Sequence, residues 1–145
     1  SITFSGTNGT INFTGAFFEC RFDLYEVIFA PSCSATFFAT FASCYHLSRV
    51  VLPTEPYSLY DTFSHCLNLT EVKNIEFCIS LDYAFFSCEK LTHFDAFPQI
   101  TNLGNQVFMN CKSLKYLLYL SSLKIIGQLQ RLNNMHFMAV LFLIQ

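Results

Sequence analysis

The sequence is poor in the residues that several protein classes require. It has 145 residues, of which 12% are charged, with five glycines, four prolines and no tryptophan. So little glycine and proline excludes a collagen-like chain or a flexible linker, and a hydrophobic content of 52% excludes a disordered tail. The eight Lys and Arg residues are spread without runs among ten Asp and Glu residues. Bulk electrostatic binding to nucleic acid or to a membrane surface is therefore excluded, because it needs clustered positive charge.

Targeting and catalytic signals are also scarce. The first residues show no signal peptide, and the most apolar stretch, residues 135–144, is shorter than the roughly 20 residues of a membrane-spanning helix. The chain has no glycine-rich phosphate loop, no His-Glu-x-x-His and no Gly-x-Ser-x-Gly motif. We therefore predict no catalytic residues, no cofactor and no metal site. Three Asn-x-Thr glycosylation acceptors, at Asn8, Asn12 and Asn68, would matter only on a secretory route.

Phenylalanine and cysteine, by contrast, are abundant and regularly spaced. The chain has 18 phenylalanines and seven cysteines, and five of the cysteines end a Phe-x-x-Cys block. The blocks are Phe17–Cys20, Phe41–Cys44, Phe63–Cys66, Phe85–Cys88 and Phe108–Cys111. Successive cysteines are separated by 24, 22, 22 and 23 residues. A period this constant indicates an internal repeat.

Each cysteine is followed by apolar residues at fixed offsets. The clearest copy continues with Leu47, Val50 and Leu52, which are three, six and eight residues after Cys44. Val50 and Leu52 would share one face of a short strand, whereas Phe-x-x-Cys suits a single tight helical turn that buries both side chains. Stacked copies would bury one continuous core, with the Phe side chains aligned along its axis. A degraded sixth copy ends in Phe137, Val140 and Phe142, with Arg131 where Phe is due.

The repeat predicts the environment of the cysteines. The five in-phase thiols should be buried and structural, because a free cysteine packs as a small hydrophobe. Cys33 and Cys78 lie out of phase, so we expect them to be the more exposed thiols. No Cys-x-x-Cys pair is present to suggest a zinc site. A disulfide between neighbouring coils stays open as an alternative.

The unit Ala-Phe-x-x-Cys-x-x-Leu-x-x-Val-x-Leu-Pro resembles the BspA-like leucine-rich repeat family. The matching segments are Ala16-Phe17, Ala84-Phe85, Leu47-Val50-Leu52-Pro53 and Leu103-Gly104, together with the five Phe-x-x-Cys blocks. The resemblance implies an α/β-type repeat solenoid of about six coils, mostly parallel β with short helical turns. It also implies a cell-surface or secreted protein that acts in adhesion or protein–protein recognition. The Ile-Gly turn of the family is missing before Phe41, Phe63 and Phe85.

We predict a single leucine-rich repeat domain over residues 1–145. Residues 1–15 would be a partial N-terminal repeat, residues 16–127 regular repeats and residues 128–145 a degraded C-terminal repeat. Ile2 and Phe4 fit the tail of an incomplete copy, so we expect the chain to be a fragment of a longer array. The partners would be neighbouring repeats of that array and a protein or cell-surface ligand, without nucleic acid or membrane insertion.

The outward strand positions are the candidate partner-binding residues. They alternate with the buried ones and would lie side by side in the solenoid. These residues are Glu26, Arg49, Glu71, Lys73, His93, Asp95 and Tyr116. Mixed charge beside an aromatic residue suits a recognition surface. Two alternatives stay open: a structural spacer in a longer surface protein, and an enzyme that uses Cys44 or Cys66 beside His46 or His65.

Overall fold

The computed structural model describes residues 1–6, 9–94, 98–100, 103–114, 116–118 and 139–141. They form short strands, and every pairing between these strands is parallel. The strands are β1 (Ile2–Phe4), β2 (Ile11–Asn12), β3 (Glu26–Phe29), β4 (Ala35–Thr36), β5 (Arg49–Val51), β6 (Tyr57–Ser58), β7 (Glu71–Lys73), β8 (Cys78–Ser80), β9 (His93–Phe94), β10 (Tyr116–Leu118) and β11 (Ala139–Leu141). A 3-10 helix at Ile75–Phe77 is the one helix within the described residues.

The strands stack into a parallel β-solenoid, as the sequence predicts. One side carries a four-stranded sheet, in the order β1-β3-β5-β7, and a three-stranded sheet of β9, β10 and β11. The register reproduces the sequence period, since Val27, Val50 and Val72 are successive partners. Leu117 pairs with Val140 in the same way. Burial alternates along β3, where Val27 and Phe29 point into the core.

The repeated phenylalanines form one stack through the core. The rings of Phe17, Phe41, Phe63, Phe85 and Phe108 follow one another with centroids 5.3, 5.7, 5.5 and 5.7 Å apart. Neighbouring rings are within 17° of parallel, and the last four residues are fully buried. This stack accounts for five of the 18 phenylalanines, one from each Phe-x-x-Cys block.

The Phe-x-x-Cys blocks are reverse turns, and helix contributes little to the fold. In the second block the Cys44 N–H donates to the Phe41 carbonyl at 3.0 Å, and Ser43 between them has a φ of 62°. A positive φ at the third residue is the mark of a type II turn. The prediction that Phe and Cys point to the same side is confirmed, but the local conformation is a turn with a left-handed residue instead of a helical turn.

Backbone hydrogen bonds join these turns from coil to coil. The N–H groups of Ala39, Phe41 and Ser43 donate to the carbonyls of Tyr60, Thr62 and Ser64 at 2.8–3.0 Å. The same three-bond pattern links the third coil to the fourth and the fourth to the fifth. The turn side of the solenoid is thus as regularly bonded as the strand side, which holds its left-handed residues in place.

The in-phase thiols serve this stacking as hydrogen-bond donors. The Sγ of Cys44, Cys66, Cys88 and Cys111 each donates to the carbonyl of a phenylalanine one coil earlier, at 3.0–3.1 Å. These four residues are buried, and Cys20 at the start of the row is half-buried. The buried structural role predicted for the five in-phase thiols is confirmed for these four, whereas Cys20 is less buried than predicted. All seven cysteines are free, so the disulfide alternative is not realised in this structure.

The expectation for the two out-of-phase cysteines was wrong. Cys33 and Cys78 are both fully buried. They belong to a second side of the solenoid, where β2 pairs with β4 and β6 with β8. Cys78 is the register partner of the buried Tyr57. On this second side, equivalent positions in successive coils hold chemically different residues. The cysteine spacing alone therefore does not reveal the repeat there.

Candidate recognition site

We use the term strand face for the outward side chains of β1, β3, β5 and β7. Because side chains alternate along a strand, the residues on either side of buried Val27, Val50 and Val72 point outward. The register aligns them in two parallel rows. Glu26, Arg49 and Glu71 form one row, and Thr3, Ile28, Val51 and Lys73 form the other.

The charged row, together with Lys73 of the neighbouring row, forms a continuous network of ion pairs. Arg49 donates through Nη1 to Glu26 and through Nε to Glu71 Oε2, the latter at 2.7 Å. The Nζ of Lys73 lies 3.3 Å from Glu71 Oε1. All four side chains are between a third and half exposed. Two acidic and two basic residues therefore neutralise one another on the surface of the sheet.

This network shifts the pKa values of two of its members, Glu71 and Arg49. Desolvation acts to raise the pKa of Glu71, but hydrogen bonds from Arg49 and Lys73 outweigh it and hold that pKa below its ordinary value. Hydrogen bonds to Glu26 and Glu71 raise the pKa of Arg49 further. Both shifts favour the charged forms of Glu71 and Arg49.

The structure brings together four of the seven predicted contact residues. Glu26, Arg49, Glu71 and Lys73 form the network just described. His93 and Tyr116 are register partners on β9 and β10, and Asp95 lies outside the described residues. That these residues bind a partner stays a prediction. Sequence spacing places them in rows, but it does not show that their charges satisfy one another.

Cys44 and Cys66 lack the surroundings of a nucleophile. Burial raises the pKa of Cys44 to about 12 and holds that of Cys66 well above its ordinary value. Both thiols are already committed as donors to Phe17 and Phe41. Exposed His65 makes an edge contact with the ring of Phe86 at 5.1 Å. A thiolate at neutral pH, which thiol chemistry requires, is disfavoured at both positions.

A second surface, which sequence reasoning missed, lies over the turns. We call it the turn face and define it by the outward side chains of the Phe-x-x-Cys turns and of the three residues before each Phe. An aromatic row crosses it, with Phe38 stacked on Tyr60 at 5.0 Å and Tyr60 against Tyr83 at 5.9 Å. Beside this row lies a groove of about 370 Å³ that Asp61, His65, Tyr83 and Phe86 help to line.

A signal for this surface was present in the sequence. The residues two before and two after each Phe all have positive φ in the structure, although nearly all of them are non-glycine. Those before are Gly15, Ala39, Asp61, Tyr83 and Gln106, and those after are Glu19, Ser43, His65, Ser87 and Asn110. Polar and aromatic residues at turn positions that favour glycine could have been noticed from the repeat alone.

Two features are absent from the described part of the chain. It contains no group of three or more His, Cys, Asp or Glu residues that could hold a metal ion. No helix in it has the length and apolar character needed to cross a membrane. The environment of the apolar stretch at 135–144 falls mostly outside the described residues.

Comparison with known proteins agrees with the repeat. The family model described as BspA type leucine rich repeat region matches six copies over residues 11–133. The six copies match the predicted number of coils. Searches of curated proteins and of solved structures found no match.

Proposed function

Because the chain belongs to the BspA-type leucine-rich repeat family, we propose that it is a non-enzymatic module that binds a protein or cell-surface ligand through its strand face. The family is generally associated with surface or secreted proteins, and a repeat of this kind is suited to protein–protein interaction. Adhesion at a cell surface is the specific role that we propose for the module.

The alignment of the two strand-face rows is the observation that supports this proposal. Ile28 and Val51 are register partners, and they lie beside the network of Glu26, Arg49 and Glu71. Protein interfaces combine an apolar centre with polar groups at the rim. A partner that covered Ile28 and Val51 while matching the alternating charges would be selected by both shape and sign.

A photo-crosslinking experiment tests which face meets the ligand. A photoreactive phenylalanine is placed at Lys73 on the strand face or at Ile79 on β8 as a matched control. Both positions are exposed. Each variant is irradiated with a panel of immobilised cell-surface and matrix proteins. We expect the Lys73 variant, and not the Ile79 variant, to form an adduct with one member of the panel. Adducts from the Ile79 variant alone would contradict the proposal.

A double substitution tests the charged row itself. Arg49→Ala with Glu71→Ala removes one charge of each sign, so the net charge stays constant. Binding to the protein captured by crosslinking should weaken about tenfold or more, as for central interface residues, while far-ultraviolet circular dichroism stays unchanged. Full affinity in a folded double variant would show that the row does not contact the ligand.

A structural spacer is the second candidate, and one observation favours it. The strand-face charges already satisfy one another, which is what a surface without a partner needs for solubility. Deleting residues 45–88 removes two repeats of 22 residues and joins Cys44 to Glu89 in phase. A spacer should keep its cellular role after this deletion, whereas a recognition module that has lost Arg49 and Glu71 should not.

A further inference from the structure

The turn face keeps side chains where glycine would be less strained. Asp61, His65 and Tyr83 have φ values of 54°, 58° and 56°. A left-handed conformation is unfavourable for residues with a Cβ, although Asp and His tolerate it better than most. Gly15 occupies the same repeat position as Asp61 and Tyr83, with a φ of 62°. The fold therefore accepts glycine there, and the side chains of Asp61 and Tyr83 are not required by the turn.

These strained side chains converge on one groove. The turn-face groove of about 370 Å³ is lined by Asp61, His65, Tyr83 and Phe86, and Phe18 closes it toward the first coil. Its size is that of a small ligand site. Left-handed residues recur in every coil, so it is the shared groove, and not the backbone strain by itself, that singles out Asp61, His65 and Tyr83.

The charge in the groove is unbalanced. The Asp61 carboxylate makes no ion pair or side-chain hydrogen bond with any described residue, since the Asp61 atoms that form hydrogen bonds belong to its backbone. On the strand face, by contrast, each carboxylate of the charged row is paired with a cation. The groove therefore presents one negative charge without a counterion from the described residues.

The walls of the groove are aromatic and held in place. Tyr83 packs against Tyr60, which stacks in turn on Phe38. Phe86 receives the edge contact of His65. The backbone of both wall residues is fixed by the ladder between coils, as Tyr83 N–H donates to Asn105 at 2.9 Å and Phe86 accepts from His65 at 2.7 Å. Both aromatic residues therefore line the groove in fixed positions.

We propose that the turn-face groove binds an arginine side chain of a partner protein. The guanidinium group is planar, stacks on aromatic rings and pairs with carboxylates. Tyr83 and Phe86 supply the rings and Asp61 supplies the charge. This site is separate from the strand face, so it gives the module a second contact surface that does not depend on the function proposed above.

The test uses a minimal probe. N-acetyl-L-arginine amide is titrated into the full chain and followed by two-dimensional 1H–15N NMR, with N-acetyl-L-citrulline amide as the uncharged analogue of the same shape. We expect saturable shifts at Asp61, His65, Tyr83 and Phe86 with the arginine compound, and at least about fivefold weaker binding of the citrulline compound. Equal binding of the two compounds would overturn the proposal.

Two substitutions at one position separate charge from backbone conformation. Asp61→Asn keeps the shape and removes the charge, and should weaken arginine binding about fivefold. Asp61→Gly should also weaken binding, while Tm stays the same or rises by up to about 4 °C because the left-handed strain is relieved. If Asp61→Gly lowers Tm, the side chain supports the fold and the inference is wrong.

Control variants keep the two surfaces distinguishable. Ala39→Gly changes the equivalent position one coil earlier, outside the groove. It should leave arginine binding unchanged, and its effect on Tm should be the same as that of Asp61→Gly. Glu71→Gln alters the strand face and should also leave arginine binding unchanged. Weaker arginine binding in Glu71→Gln would place the probe on the strand face and overturn the assignment to the groove.

Discussion

Raising the pH should unfold this protein through its buried thiols. Cys44, Cys66, Cys88 and Cys111 have their pKa values raised above the ordinary 9.0 by burial, to about 12 for Cys44 and Cys111. The folded state therefore holds these protons after the unfolded chain has released them. Their stabilising contribution is complete below pH 9 and is lost as the pH rises from about 9 toward 12.

The expected loss is large compared with the stability of a domain. At pH 10, one unit above the unfolded pKa of 9.0, each thiol that stays protonated only when folded reduces the free energy of unfolding by about 1.4 kcal/mol. The four thiols together remove about 5–6 kcal/mol, whereas a domain is stable by roughly 5–15 kcal/mol. A thiolate would also lose the hydrogen bond to the phenylalanine carbonyl.

Urea unfolding followed by circular dichroism, at pH 8 and pH 10 with a reductant present, measures this loss. The control is Cys66→Ser with Cys88→Ser, because a hydroxyl keeps a donor near the Phe41 and Phe63 carbonyls but does not titrate in this range. Because it lacks two of the titrating thiols, the double variant should lose about 3 kcal/mol less than the parent between the two pH values. Equal losses, or a parent that is as stable at pH 10 as at pH 8, would refute the reasoning.

Three further outcomes follow from the packing and charges. Phe63→Ala, in the middle of the phenylalanine stack, should reduce the free energy of unfolding by about 3–5 kcal/mol, and Phe63→Leu by less, in urea titrations. Under native conditions a thiol reagent should modify half-buried Cys20 first, and buried Cys88 only at the rate at which the protein unfolds. Mass spectrometry of samples taken at successive times would show this order. Arg49→Ala should lower Tm only slightly, because its ion pairs are partly exposed, and the loss should shrink in high salt. A large loss of stability for Arg49→Ala, unaffected by salt, would contradict the surface character of the row.

Much of the core and of the strand face could be predicted from the sequence. A regular period places chemically equivalent residues in equivalent environments, so the spacing of Phe41, Phe63 and Phe85 was sufficient to predict that their rings stack. The two-residue alternation of a strand likewise placed Arg49 and Glu71 side by side. What spacing could not give is the pairing of their charges, because that depends on side-chain conformations across neighbouring strands.

The repeat by itself determined the solenoid, its register, the aromatic core and the burial of the in-phase thiols. Only the tertiary structure decided the environments of Cys33 and Cys78, which were expected to be exposed but lie in the core. It alone also showed the convergence of Asp61, Tyr83 and Phe86 on a single groove. The physical reason is that periodicity reports which residues are equivalent along the axis, whereas contacts around each coil depend on the path of the connecting segments, and these segments differ in sequence from one copy to the next.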